Sequence, residues 1–206
     1  MTSFWAWIWP LLAAPLVGSL MGVLIPRLME QRQAAIGWRV VLAALLIPVS
    51  AASMGVAGSA LWALCAAGWV LLALAWIDWN CMILPDALTL PLVVAGLLAT
   101  WWLEPFALTD HALAAALGYT ALRGLALLYR RLRGRDGLGE GDAKLLAALG
   151  AWVGLDNLPS VVLGAALAGL AWAGLLRLRG TALTGSTALP FGPFLALSGW
   201  VVLLRG

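Results

Sequence analysis

Two short segments of the sequence place carboxylates where an apolar chain tolerates them least. The first is Ala75-Trp76-Ile77-Asp78-Trp79-Asn80-Cys81-Met82-Ile83-Leu84-Pro85-Asp86. Asp78 closes a long apolar run with no basic residue near it in sequence, and an ionisable residue in that position is a functional candidate by default. It equally suits the point where a helix leaves the membrane. Asp86 follows Pro85 and opens the next apolar run, which fits a helix cap. The second segment is Gly137-Leu138-Gly139-Glu140-Gly141-Asp142-Ala143-Lys144. Glycines at alternate positions, Gly139 and Gly141 among them, clear side-chain bulk so that another strand or helix can come close. A flexible loop, a capping Asp142 and a Lys144 that snorkels from the helix behind it are the simpler reading. Lys144 fits a substrate contact or a lipid phosphate. Taken together, Asp78 and Asp142 suit one chemistry. Two carboxylates sharing a proton activate water, the ionised one as base while its partner hydrogen-bonds a substrate carbonyl.

Rival chemistries lack residues. The single histidine is His111, expected at the opposite membrane face, so no Ser–His or Cys–His set forms. Cys65 and Cys81 form no C-x-x-C and have no paired histidine, which leaves a zinc site or a disulfide framework without support. The expected metal complement is none, and nucleic acid is not an expected partner, because the net charge of +3 matters here only through where the charges sit.

The elements that must position these residues follow from composition. Of 206 residues 64% are hydrophobic and 10% charged, too few polar groups for a water-facing surface. The expectation is an all-α polytopic membrane protein forming one integral membrane domain over residues 1–206, with no separate soluble domain. Eight apolar stretches are long enough to count as spans: roughly 4–26, 37–55, 57–77, 87–103, 111–130, 143–156, 158–178 and 189–205. The sixth is short, parted from the seventh only by Asp156-Asn157-Leu158-Pro159. Seven spans with a re-entrant segment is the competing count. No basic stretch or cleavage pattern precedes Arg27, so the first run reads as a retained span. In the eight-span order, eleven of the twelve Lys and Arg fall on one side, from Arg27, Arg32 and Arg39 to Arg177 and Arg179. Only Arg205 lies opposite. The positive-inside rule makes that side cytoplasmic, with both termini outside and Asp78, Asp86 and Asp142 at the inner face.

Four stretches together resemble the bacterial prepilin leader peptidases, membrane aspartic proteases of the GxGD type. Ile77-Asp78 with Leu84-Pro85-Asp86-Ala87-Leu88-Thr89-Leu90-Pro91-Leu92 looks like the family's first aspartate motif. Gly139 to Trp152 is similar to its second, and Leu189-Pro190-Phe191-Gly192-Pro193-Phe194 to its last span. Val17-Gly18-Ser19, continuing to Arg27-Leu28, looks like the end of its first span, with Gly22 and Pro26 in place of the usual residues. The resemblance implies that Asp78 and Asp142 are the catalytic pair, with Gly139, Gly141, Lys144 and Asp86 as supporting motif residues. It implies a protein of the bacterial cytoplasmic (inner) membrane whose substrates are precursors of type IV pilins or of type II secretion pseudopilins, with a short basic leader cut on the cytoplasmic side. Asp136 and Glu140 could attract that leader, although solvated loop charge explains both.

One departure limits the resemblance. Typical members carry an insertion with two C-x-x-C pairs between the first two spans, linked to N-methylation of the new terminus. Here about ten residues, Arg27 to Gly37, join those spans. The sequence therefore predicts a peptidase-only or methylation-impaired member that needs no cofactor for cleavage, with S-adenosylmethionine used only if methyl transfer is retained. For the dyad, the helix dipole predicts Asp142, which begins a helix, as the ionised partner, and Asp78, which ends one, as the carrier of the shared proton. Three other readings remain. A proton-coupled transporter or channel would use Asp78 and Asp142 as relay carboxylates, but it calls for mid-membrane charges and internal repeats, and neither is evident. A structural assembly protein rests only on spacings such as Gly18-x-x-x-Gly22 and Gly150-x-x-x-Gly154, which suit helix packing. An archaeal-type preflagellin peptidase shares the two-aspartate logic but not the extended matches.

Overall fold

The computed structural model describes residues 3–28, 38–53, 55, 58–134, 139–180 and 189–205, with backbone alone at 3–7, 21–28, 38–41 and 52–53. Glu30, Arg32, Arg135, Asp136 and Gly137 lie outside the described residues. Apart from one 3-10 turn at Pro105–Ala107, the described elements are α-helices: α1 (Ser3–Leu28), α2 (Trp38–Ser53), α3 (Gly58–Cys81), α4 (Asp86–Leu103), α5 (Leu108–Arg133), α6 (Glu140–Leu178) and α7 (Gly192–Leu203). The fold is all-α. Four helical stretches among the described residues, Gly58–Cys81, Asp86–Leu103, Pro105–Arg133 and Glu140–Leu178, are long and apolar enough to cross a membrane.

The chain divides into two compact units, Met1–Ala73 and Leu74–Leu204. In the first, α1 packs on α2, with Ala14, Ala44 and Ala51 fully buried. The Trp69 indole N–H donates to the Ala44 carbonyl at 3.0 Å, so this large side chain is buried without an orphan donor. The second unit is built around the first half of α6. From Asp142 to Gly154 it is buried on nearly every face, as expected of a helix apolar all round. Small residues make that possible. A Cβ on Gly150 would stand 2.6 Å from the Ala114 backbone of α5, and one on Gly96 of α4 would stand 2.7 Å from the Trp152 ring. The Trp152 N–H in turn reaches the Leu92 carbonyl at 2.9 Å.

The sixth and seventh expected spans are two helical segments of α6, parted at Gly154 and not at Asp156–Pro159. Gly154 has φ 76° and ψ 176°, a backbone state that a residue with a Cβ rarely adopts. Asp110 Oδ2 accepts the N–H of Leu155 at 2.8 Å, and the Asn157 side chain donates to the Val153 carbonyl at 3.0 Å. His111 Nδ1 lies 3.1 Å from the Ala151 carbonyl and 3.1 Å from Thr100 Oγ1. Side chains thus satisfy the groups that the break frees, the condition under which an interrupted helix persists in lipid. His111 is a member of this knot. The Gly150-x-x-x-Gly154 spacing accordingly has two jobs, close packing at its first glycine and a chain break at its second.

Beyond the break α6 runs back. Trp172 meets Trp79 beside the end of α3, with ring centroids 5.3 Å apart. α7 then packs antiparallel to this returning segment, Ser198 against Gly164 and Val161, Phe194 against Gly169. α5 continues past its expected end, so Arg130, Arg131 and Arg133 sit on its last turn, where cations complement the dipole before Gly134 closes the helix at φ 69°.

Candidate active site

The end of α3 and the starts of α4, α6 and α7 meet at one end of the second unit. Asp78 sits on the last turn of α3, whose final carbonyls are closed by Met82 N–H donating to the Asp78 carbonyl at 2.8 Å. Its side chain is 6% exposed, and Oδ2 accepts the N–H of Gly192, the first residue of α7, at 2.9 Å. Asp142 is the third residue of α6 and 8% exposed. Its Oδ2 accepts the N–H of Gly139 at 3.3 Å, reaching back over the first turn as an acidic residue at that position does. Leu84, six residues after Asp78, seats on Gly141, the neighbour of Asp142, which brings both aspartates to the same end of the unit.

The glycines act through what they lack. A Cβ on Gly192 would stand 2.7 Å from Asp78 Oδ2, so only glycine lets the amide come this close. A Cβ on Gly141 would stand 2.7 Å from the Leu84 Cβ, so the loop after Asp78 seats directly on the first turn of α6. Gly139 contributes its amide to Asp142. Each expected glycine therefore has a local geometric reason, and Gly192 adds one whose contact with Asp78 spans 114 residues of sequence.

Asp86 and Lys144 differ from expectation. Asp86 makes no capping hydrogen bond; the cap position of α4 is Pro85, whose carbonyl accepts the N–H groups of Leu88 and Thr89. Asp86 instead receives the Lys144 ammonium at 2.7 and 2.9 Å. Lys144 also pairs with Glu140 at 3.2 Å, and Glu140 with Arg123 at 3.2 Å. Lys144 is thus engaged by protein carboxylates. Glu140, expected as loop charge, is the first residue of α6 and a partner in this row.

The dipole contrast between the two aspartates also changes. Asp78 ends α3 but meets the N-terminus of α7 through Gly192, so both carboxylates face a helix N-terminus and the dipole no longer separates them. Beside Asp78 the exposed Trp79 packs edge-on against Trp172 and Phe194, an aromatic wall that periodicity alone would assign to lipid. Among the described residues, no group of three His, Cys, Asp or Glu gathers that could hold a metal ion. Chemically, the site offers two buried carboxylates at one end of the unit, each held in rotamer by one amide. An ionised carboxylate accepts at about four lone-pair positions, so each keeps capacity for a proton or a water.

Comparison with known proteins extends these observations. Residues 65–174 match the type IV leader peptidase family. Among curated proteins, the prepilin leader peptidase/N-methyltransferase of Burkholderia pseudomallei is 46% identical over 163 residues, covering 75% of this chain and 50% of the relative. Those of Aeromonas salmonicida and Pseudomonas aeruginosa are 45% and 42% identical over 131 and 130 residues, in each case 63% of this chain and 44% of the relative. The chain spans about half the length of the curated relatives it matches. No solved structure matches it. The family match takes in more than half of the chain and carries both Asp78 and Asp142, and the chain belongs to the type IV leader peptidase family.

Proposed function

We propose that this protein is a membrane aspartic endopeptidase that removes the short basic leader from type IV prepilins or type II secretion pseudopilins. The observation that carries the reading is the buried pair Asp78 and Asp142, the first aimed by the Gly192 amide that opens α7 and the second by the Gly139 amide just before its own helix. One carboxylate, ionised, takes a proton from water as the water attacks the scissile carbonyl. The other, protonated, gives its proton to that carbonyl oxygen; as the intermediate collapses, the first passes the water-derived proton to the departing amine and the second recovers its own from the hydroxyl. The relatives' names, which include leader peptidase, support the substrate class. The basic last turn of α5 lies at the same end as the dyad and supports a cytoplasmic site in an inner membrane. In this reading residues 1–206 act as one integral membrane peptidase domain, with both termini outside. The relatives are also named N-methyltransferases; the short Arg27–Gly37 connection, without the C-x-x-C pairs, supports cleavage with little or no methyl transfer from S-adenosylmethionine. Cleavage itself needs no cofactor.

The test is co-expression with a prepilin or pseudopilin precursor, comparing wild type with Asp78→Asn and Asp142→Asn. Processing by wild type alone is the expected result. Wild-type rates from either variant defeat the dyad assignment, and robust methylation of the cleaved product by purified protein defeats the peptidase-only reading.

A further inference from the structure

Asp142 and Lys144 lie two positions apart on α6, so their side chains leave the helix about 200° apart. Asp142 turns to Gly139 and Lys144 to the start of α4, where it holds both oxygens of Asp86. A closed path results. It runs from Leu84, six residues after Asp78, to Asp86, across the ion pair to Lys144, and back through Ala143 and Asp142 to Gly141, on which Leu84 sits. Glu140 and Arg123 extend the charged row onto α5.

Resting on the reading of Asp78 and Asp142 as the peptidase centre, we propose that Lys144 and Asp86 are positioning residues, a clamp that sets the separation of the two aspartates. Lys144 contacts neither substrate nor lipid phosphate in this role. Its side chain is 21% exposed and its ammonium meets two carboxylates already. An exposed ion pair contributes little to stability, and Asp86 is 55% exposed, so the clamp acts on geometry more than on folding. A misplacement of about 1 Å costs as much as 10²-fold in rate. Because Gly141 against Leu84 is a second tie, losing the clamp should cost about 10-fold.

The test measures kcat and KM on a precursor for Lys144→Met, Asp86→Asn and the double variant. The clamp predicts that each single change lowers kcat about 10-fold with KM within about twofold, and that the double variant is no worse than either. Lys144→Arg should restore most of the rate. A raised KM for Lys144→Met, or additive losses in the double variant, overturns the proposal. Backbone hydrogen exchange over residues 82–86 and 139–142 gives a readout free of cleavage. Faster exchange in both segments in either single variant supports the clamp, and unchanged exchange overturns it. A wild type that cleaves no precursor would sink the peptidase reading, while the exchange data would still judge the clamp.

Discussion

Three aspartates of the second unit face the start of a helix, yet they stand at two ends of the bundle with different company. Asp78 receives the first N–H of α7, and Asp142 that of the residue before α6. Asp110 receives the N–H of Leu155, where α6 resumes after its break. About 17 Å of helix separates Asp142 from Val153 at the break. At the far end Asp156 is exposed, so among the described residues Asp110 has no buried carboxylate for a partner; it sits in a knot where His111 meets the Ala151 carbonyl and Asn157 meets the Val153 carbonyl. Three of the partners there are backbone groups beside the break, the Leu155 N–H and the Ala151 and Val153 carbonyls, and the fourth is the Thr100 hydroxyl. At the near end two carboxylates are buried together, which is costly unless the pair shares a proton or meets substrate. Accepting an amide is therefore common to both ends. What distinguishes a reactive end from a structural one is a second buried carboxylate at the same end.

The sharpest way to break this comparison is to put asparagine at all three positions. An amide oxygen accepts a hydrogen bond as a cap nearly as well as a carboxylate but cannot shuttle a proton. Asp78→Asn and Asp142→Asn should each lower precursor cleavage by at least about 10³-fold with the fold intact. Asp110→Asn should leave cleavage within about twofold, because the knot needs only an acceptor. Quantitative processing assays beside circular dichroism check both halves. A comparable loss at Asp110 would erase the distinction between the ends.

The glycines give the next contrast. A methyl group on Gly192 meets Asp78 Oδ2 directly, so Gly192→Ala should cut kcat by about 10²-fold with little change in thermal stability. Gly154→Ala faces both a positive φ and Asp110 Oδ2 at 2.7 Å. It should cost about 2–3 kcal/mol of stability, read as a lower melting temperature in detergent, with residual cleavage by whatever remains folded. Reversed signatures would exchange the roles assigned to the two ends. Asp110→Ala comes next at about 1–2 kcal/mol, the usual range for removing a helix cap.

How much of this was legible in the sequence depends on the range of the signal. Asp78 and Asp142 stand out because each interrupts apolar sequence, and their chemistry follows from residue type. Most helix positions follow from the length of the apolar runs. The break at Gly154 does not, since Asp156–Pro159 carries the stronger local turn signal while the decisive partner, Asp110, lies 45 residues away. The pairing of Asp86 with Lys144 was hidden for the same reason: each residue has an adequate local explanation, a cap or a snorkelling cation, and their contact joins positions 58 apart. Gly192 fell within a recognised stretch, but only the fold reveals that its amide aims Asp78.

The smallest expected effect is at Met82, the only non-glycine residue with positive φ, 53°, among the described residues. The far end uses glycine where its chain turns left-handed, at Gly154, so the near end alone carries this strain. A left-handed residue with a Cβ costs about 1–2 kcal/mol, less for asparagine, whose short polar side chain tolerates the region. Met82→Asn should therefore raise stability by up to about 1 kcal/mol in thermal unfolding. The Met82 side chain is 53% exposed and makes no hydrogen bond to the dyad, so cleavage should hold at the wild-type rate. A variant that becomes more stable while kcat falls would mean that the strained turn helps to set Asp78, four residues back, and that backbone strain as well as the paired carboxylates marks the reactive end.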